Sequence, residues 1–430
     1  MSNKFQQQIS RLAQSRPFFN FFSLGFLKAT DAVVLLLLIP LIISRVGIAN
    51  FGIIAFVQVV LNYGKTLIDY GFQITGVRMI ALERADRKRL SQIFIDILFS
   101  RLVIGFLFVL LLFMAIQLIP FLKERQWGFY WGFLLPIGHI FFIDWFFIGL
   151  QQAHFVAVAN LIIKLLFAVG VWWFVQEPMD FIYVLALQGG AGLLVGILMV
   201  MATFYWMKWS FKCSSWNAII HFLKSDFRLL LSNLAIEFNA SFSIVILGIL
   251  TSDVITGYFN VMYKLVQPLR FLLVIFAQAI FPKVCEKTRE GYQAVTHFLK
   301  SAFGLFFILP ILGSLAMMYF AKPIYGFFAK DYLPELLPDF QLYLLVPIVI
   351  LFNIPAYQIL LAYDRKPDYT SVYLVSMGFK TILDYVLISW LGLHGLIISI
   401  LVIEGFITLG LWFMVKKNHT QFINHPTLPE

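Results

Sequence analysis

The chain has 430 residues, 61% hydrophobic and only 13% charged, with a formal net charge of +10. Soluble domains carry roughly 25% charged residues, so this composition expects lipid rather than water as its solvent. Nucleic acid is excluded as a partner: a basic face would be needed, whereas the Lys and Arg residues sit in short loops between apolar runs, or inside the runs.

A membrane-crossing helix needs about 20 mostly apolar residues. In chain order such stretches fall near 18–43, 51–77, 91–118, 128–150, 155–175, 181–207, 227–250, 254–281, 300–321, 340–362, 371–392 and 396–415. The expectation is an all-α membrane protein of about twelve spans. Its first apolar stretch reads as an uncleaved span, because it runs too long for a signal peptide and no small-residue cleavage site follows. Phe5, Ile9 and Leu12 share a helical face before the first span, and Trp216, Ile219, Ile220 and Leu223 do so between the sixth and seventh. Both read as short interfacial helices, with 291–299 a weaker case. The predicted organisation is therefore an amphipathic N-terminus (1–17), six spans (18–207), an interfacial linker (208–226), six further spans (227–415) and a tail (416–430).

Orientation follows from the basic loop residues. One set of loops and both termini hold Lys4, Arg11, Arg16, the run Arg84, Arg87, Lys88, Arg89, and then Lys208, Lys212, Lys224, Arg228, Lys283, Lys287, Arg289, Lys300, Arg365, Lys366, Lys416 and Lys417. The opposite loops hold only Arg45, Lys123, Arg125, Lys322 and Lys330. The positive-inside tendency puts both termini in the cytoplasm. Cys213 and Cys285, the two cysteines, then lie on the reducing side as free thiols without metal-ligand spacing. No cofactor or metal is called for.

Charges also occur deep inside the spans: Lys28, Asp31, Lys65, Asp69, Lys164, Glu237, Lys264, Arg270, Lys380, Asp384 and Glu404. Each costs about 3 kcal/mol at the bilayer centre, so they are expected to face one another or a watery cavity. They fall in stripes. Gln58, Asn62, Lys65 and Asp69 share one face of the second span, as do Tyr373, Ser376, Lys380 and Asp384 in the eleventh. Asn260, Lys264, Gln267 and Arg270 mark the eighth span; Asn233, Glu237 and Ser241 the seventh; Asn160 and Lys164 the fifth. Lys28–Asp31, Lys65–Asp69 and Lys380–Asp384 are spaced to form neutral pairs that only orient helices. Lys164, Lys264 and Arg270 have no carboxylate one turn away, and a net-cationic cavity that accepts an anion accounts for them better.

Gly189-Gly190-Ala191-Gly192 with Gly196 lies in an apolar run with no strand before it, which points to close helix packing rather than a phosphate loop. Pro268 is placed to bend the eighth span beside Arg270. The histidines, including His139 within the fourth span, have no partner at useful spacing. Trp172, Trp173, Trp206, Trp209 and Trp390 read as interface anchors.

Four stretches resemble the Wzx-type polysaccharide flippase family, part of the superfamily that also holds the multidrug MATE exporters and the lipid II flippases. They are Arg45-Val-Gly47 to Phe51-Gly52; Leu67-Ile-Asp69-Tyr-Gly71-Phe72 with Arg78; Asp144-Trp145-Phe146-Phe147-Ile148-Gly149-Leu150-Gln151-Gln152; and Ser252-Asp253 through Gly257-Tyr258-Phe259 and Lys264 to Ile280-Phe281-Pro282. Gln151 stands where the family often has Glu. The resemblance covers about residues 20–285; the last third matches only in span pattern.

The resemblance implies two six-helix lobes forming a V around a central cavity, in the bacterial inner membrane. It further implies a substrate: an oligosaccharide on undecaprenyl pyrophosphate, moved from the cytoplasmic to the periplasmic leaflet by alternating access. Membrane lipids, a polymerase and a chain-length regulator would be its partners. Lys28, Lys65, Lys164, Lys264, Arg270 and Lys380 become candidate pyrophosphate ligands, with Gln58, Asn62, Asn233, Asn260 and Gln267 as polar lining. Since no nucleotide-binding loop is present, Asp31, Asp69, Glu237, Asp384 and Glu404 are candidates for proton or Na⁺ coupling. A MATE-like exporter of cationic small molecules is the alternative on the same fold. A polysaccharide polymerase fits less well, because the longest outer loop, about 322–339, carries only Lys322 and Lys330 as basic residues.

Overall fold

Lipid offers backbone N–H and C=O groups no partner, so a spanning chain must satisfy them within itself, and a helix does so residue by residue. The computed structural model describes residues 16–207, 216–329 and 333–424, with backbone alone at 16–35, 217–219, 221, 305 and 423–424. The described residues contain helices and no strand. The elements run α1 (Arg16–Asp69), α2 (Thr75–Leu82), α3 (Arg87–Leu118), α4 (Pro120–Lys123), α5 (Gln126–Gly132), α6 (Leu134–Phe141), α7 (Asp144–Gly149), α8 (Ala153–Phe174), α9 (Phe181–Met207) and α10 (Trp216–Ser225). They continue as α11 (Phe227–Leu250), α12 (Asp253–Thr288), α13 (Tyr292–Phe306), α14 (Ile308–Tyr319), α15 (Ala321–Phe328), α16 (Leu337–Tyr343), α17 (Val346–Ala362), α18 (Lys366–Lys417) and α19 (His419–Asn424).

Among the described residues, 10 helical segments are long and apolar enough to cross a membrane. Two are far too long for one crossing. At 1.5 Å per residue, α18 with its 52 residues would measure roughly 80 Å against a hydrocarbon core of about 30 Å. It breaks at Gly392 (φ 56°, ψ −130°), and α1 breaks at Gly47 (φ 82°, ψ 163°). Both conformations are open to glycine and strained for a residue with a Cβ. The two breaks reconcile the long helices with the twelve expected crossings. This is a multi-pass α-helical membrane protein.

Several boundaries differ from those read from hydropathy. The second span stops at Asp69, because Tyr70 (φ 44°) and Gly71 (φ 112°) turn the chain into α2. The fourth span is not one helix: Phe142 and Ile143 leave helical geometry between α6 and α7. The 291–299 segment is no loop helix but the first turns of α13. The linker helix appears as α10, while the N-terminal amphipathic stretch and residues 208–215, with Cys213 and Trp209, lie outside the described residues. Helix starts follow local chemistry: Asp86 accepts from the Lys88 and Arg89 amides at the start of α3, and Ser252 from the Ile255 amide at the start of α12.

The chain divides into two compact units, residues 1–237 and 238–430. The first has a core built on Phe72, Phe94, Ile97, Ile143, Trp145 and Phe146. The second is built on Leu273, Phe303, Leu351, Ile359, Ile407 and Leu411. Trp172, Trp173, Trp206 and Trp390 are exposed.

Within the first unit, α6 and α9 approach closely through glycines. A Cβ on Gly138 would lie 2.7 Å from the Leu193 amide nitrogen, and one on Gly196 2.9 Å from the Phe141 carbonyl carbon. A Cβ on Gly189 would collide with the Leu134–Leu135 backbone, whereas one on Gly190 would meet nothing within 4 Å. Backbone cannot yield as a flexible side chain does. Overpacking there costs typically 1–3 kcal/mol or more, so Gly189→Leu is expected to lower thermal stability in detergent sharply. Gly190→Leu should leave it nearly unchanged; equal losses would mean that glycine does not set the α6–α9 distance.

Candidate functional site

In the first unit the polar face of α1 ends in a half-buried cluster. Arg101 of α3, with its side chain wholly buried, places Nη2 3.1 Å from Asp69 Oδ1. The His139 ring of α6 approaches the same carboxylate oxygen at 2.9 Å through Nε2. Arg101 also donates to the carbonyls of His139 (2.8 Å) and Phe142 (3.0 Å). These belong to the broken end of α6, where the intrahelical ladder stops. One guanidinium thus satisfies a helix terminus and an acid at once. Beside it, Gln73 Nε2 donates to both oxygens of Asp144, each at 2.9 Å.

Sequence spacing had paired Asp69 with Lys65; the tertiary structure gives Asp69 to Arg101 and His139. The sequence reading assigns Arg101 no role and gives His139 no partner at useful spacing. An arginine inside an apolar run was the available signal, since such a residue is costly unless paired. Lys65 is half-buried and feels the charges of Lys164, Asp69 and Glu237. Gln58 donates to Gln188 Oε1 of α9 at 2.7 Å. Asn62, Lys164, Asn233 and Glu237 are half-buried. The side chains of Lys28 and Asp31 lie outside the described residues.

The family-like motifs also act as staples. Arg45 Nη1 donates to the carbonyls of Val171, Trp172 and Val175 at 3.3, 2.8 and 2.7 Å, closing the C-terminal end of α8 next to the Gly47 break. Arg84 Nε donates to the Gly149 carbonyl at 2.8 Å and so closes α7. Cationic donors at helix C-termini satisfy orphan carbonyls and complement the dipole.

The second unit holds two charged groupings. In α18, Lys380 Nζ lies 3.3 Å from Asp384 Oδ2, with the side chains 2% and 0% exposed. Asp384 also accepts from Ser243 of α11 at 2.8 Å and from Ser399 of the second half of α18 at 2.5 Å. This pair follows the expected i, i+4 spacing, is sealed, and joins three helical segments. The other grouping brings together residues isolated in their own spans: Arg270 Nη2 of α12 lies 3.4 Å from Glu404 Oε1, at 22% and 15% side-chain exposure. The Tyr343 hydroxyl is a second neighbour of this guanidinium. Lys264 is half-buried on the same helix. The Asn260 Nδ2 and Gln267 Oε1 atoms are buried without a hydrogen-bond partner.

A family profile described as polysaccharide biosynthesis protein matches residues 19–288. The chain belongs to that family. The matched span is nearly the stretch that carried the motif resemblance. A protein of Escherichia coli (strain K12) named "Putative O-antigen transporter" is 22% identical over 411 residues, covering 93% of this chain and 96% of that one. Among solved structures, the lipid II flippase MurJ in an inward closed conformation superposes with a TM-score of 0.70 at 13% identity, over 91% of this chain and 87% of that one. An inward-facing MATE-family multidrug resistance transporter of the MOP superfamily gives 0.67 at 12% identity, over 92% and 100%. At those identities the likeness concerns the fold: this polysaccharide biosynthesis family member has the MATE/MurJ helical fold.

The sealed pair yields a test. Removing one partner of a buried ion pair leaves an uncompensated charge and costs about 3–5 kcal/mol, whereas apolar replacement of both is often near neutral. Lys380→Met is therefore expected to destabilise the protein strongly in detergent unfolding, and Lys380→Met with Asp384→Leu to recover most of the loss. If the double variant is as unstable as the sum of the singles, the two residues are not coupled.

Proposed function

We propose that the protein is a flippase for polyprenyl-pyrophosphate-linked oligosaccharide repeat units, moving them from the cytoplasmic to the periplasmic leaflet of the bacterial inner membrane. The observation that carries this reading is the set of intramembrane cations set on the spans of a polysaccharide biosynthesis family member, with Lys65 and Arg270 half-buried rather than sealed. The name of the Escherichia coli relative, an O-antigen transporter along most of its length, supports the substrate class. A pyrophosphate is at least a dianion; Lys and Arg are its natural partners, and Arg engages it bidentately. The sugars call for amide, hydroxyl and aromatic surfaces, which Asn62, Tyr63, Asn260 and Tyr263 supply.

The same reading includes alternating access past these cations, two six-span lobes at 18–207 and 227–415, and both termini in the cytoplasm. An ion gradient is the energy source, with Glu404 the foremost coupling acid. Translocation that persists unchanged after the membrane potential and both the proton and Na⁺ gradients are collapsed would remove that part.

Lys65→Ala and Arg270→Ala are each expected to reduce surface glycan while the protein still inserts. A lost charge-assisted contact is worth about 1.5–3 kcal/mol, on the order of tenfold or more in affinity. Deletion in the native host should accumulate lipid-linked repeat units on the cytoplasmic leaflet. Repeat units that reach the periplasmic face normally in the deletion strain would refute the flippase reading.

A further inference from the structure

Arg270 and Glu404 are brought together from segments 134 residues apart, and their contact differs in kind from the Lys380–Asp384 pair. The latter is sealed and saturated with hydroxyl donors. The former has one ion contact, of 3.4 Å, between side chains that keep 22% and 15% exposure, and the Tyr343 hydroxyl is a further partner of the guanidinium. Charge-assisted N–H···O bonds usually measure about 2.7–2.9 Å, and a guanidinium has five N–H groups to offer. One long ion contact and one tyrosine hydroxyl leave part of that capacity available, and the exposure leaves a route to it.

We propose that Glu404 is a tethered stand-in for the substrate's pyrophosphate: the arriving anion displaces it from Arg270, and the released carboxyl takes up a proton. The inference rests on the reading of Arg270 as an anion-binding residue, and it supplies the coupling step which that reading lacks. Before capture the grouping holds one positive and one negative charge. Capture brings two or more negative charges to the same guanidinium. A Glu404 that stayed ionised would be left beside the pyrophosphate without a cation, and an unpaired carboxylate in a low-dielectric site neutralises instead.

The groups that face Glu404 leave few other outcomes. They are Arg270 from α12, Lys380 and Tyr373 from the first half of α18, and Tyr343 from α16. The Lys380 ammonium is committed to Asp384 at 3.3 Å. The two tyrosines carry no positive charge. Arg270 is therefore the nearer and stronger of the two cations that act on Glu404. Anion capture and proton uptake become one event, and release of the anion returns the carboxylate to Arg270 and the proton to water.

The test uses the purified full-length protein in detergent with farnesyl pyrophosphate as the probe. Titration calorimetry at neutral pH, in two buffers of different ionisation enthalpy, counts the protons taken up on binding. The wild type is expected to take up about one proton more per probe than Glu404→Gln; the probe's own ionisation is common to both. With the competitor gone, Glu404→Gln and Glu404→Ala should both bind the probe about tenfold more tightly, and Arg270→Gln should bind it far more weakly. Equal proton counts in wild type and Glu404→Gln, with both binding, would overturn the exchange while leaving the anion site standing. Loss of binding in both Glu404 variants as folded, monodisperse protein would overturn it too. Absence of saturable binding by the wild type would overturn the anion site along with it.

Discussion

Hydrocarbon gives a charge or an open backbone group nothing to bond with, and most of this structure can be read as an answer to that constraint. Three helix ends inside or near the membrane have a cationic donor waiting. Arg45 closes α8, Arg84 closes α7, and Arg101 closes the interrupted α6 while holding Asp69. Broken helices at membrane depth are tolerated only where their freed groups are re-satisfied. The motif residues Arg45, Asp69, Asp144 and Gly149 are therefore explained first as architecture.

The same constraint sorts the remaining charges. A pair that is sealed from solvent, such as Lys380–Asp384, whose carboxylate also accepts from Ser243 and Ser399, fixes how segments meet. A pair that is long, partly exposed and incompletely bonded, such as Arg270–Glu404, can be opened at lower cost. Transport needs groups of the second kind, because binding energy must be returned when the substrate leaves. Lys380 was counted with the candidate ligands from its position on a polar stripe; its burial makes it a bracing residue in this conformation. Arg270 keeps 22% side-chain exposure and a longer ion contact.

Glycine serves both ends. At Gly47 and Gly392 it permits backbone angles that break over-long helices. At Gly138, Gly189 and Gly196 it removes the side chain so that α6 and α9 can meet backbone to backbone. The discontinuous fourth span is held by that contact on one side and by Arg101 on the other.

The sequence by itself determined the solvent, the helical class, the approximate crossings, the glycine seam and, through Asp69–Phe72, Asp144–Gln152 and Ser252–Pro282, the family. These properties are carried by composition or by residues close together in the chain, where a 3.6-residue period is visible to inspection. Only the tertiary structure decided which charges meet. Asp69 went to Arg101 and His139 rather than to Lys65. Arg270 and Glu404, each isolated within its own span, proved to be neighbours. Periodicity reports which face of a helix is polar, but not which other face lies against it. That depends on packing between segments from 32 to 134 residues apart, and in lipid this packing fixes whether a charge is sealed in the fold or stays partly exposed.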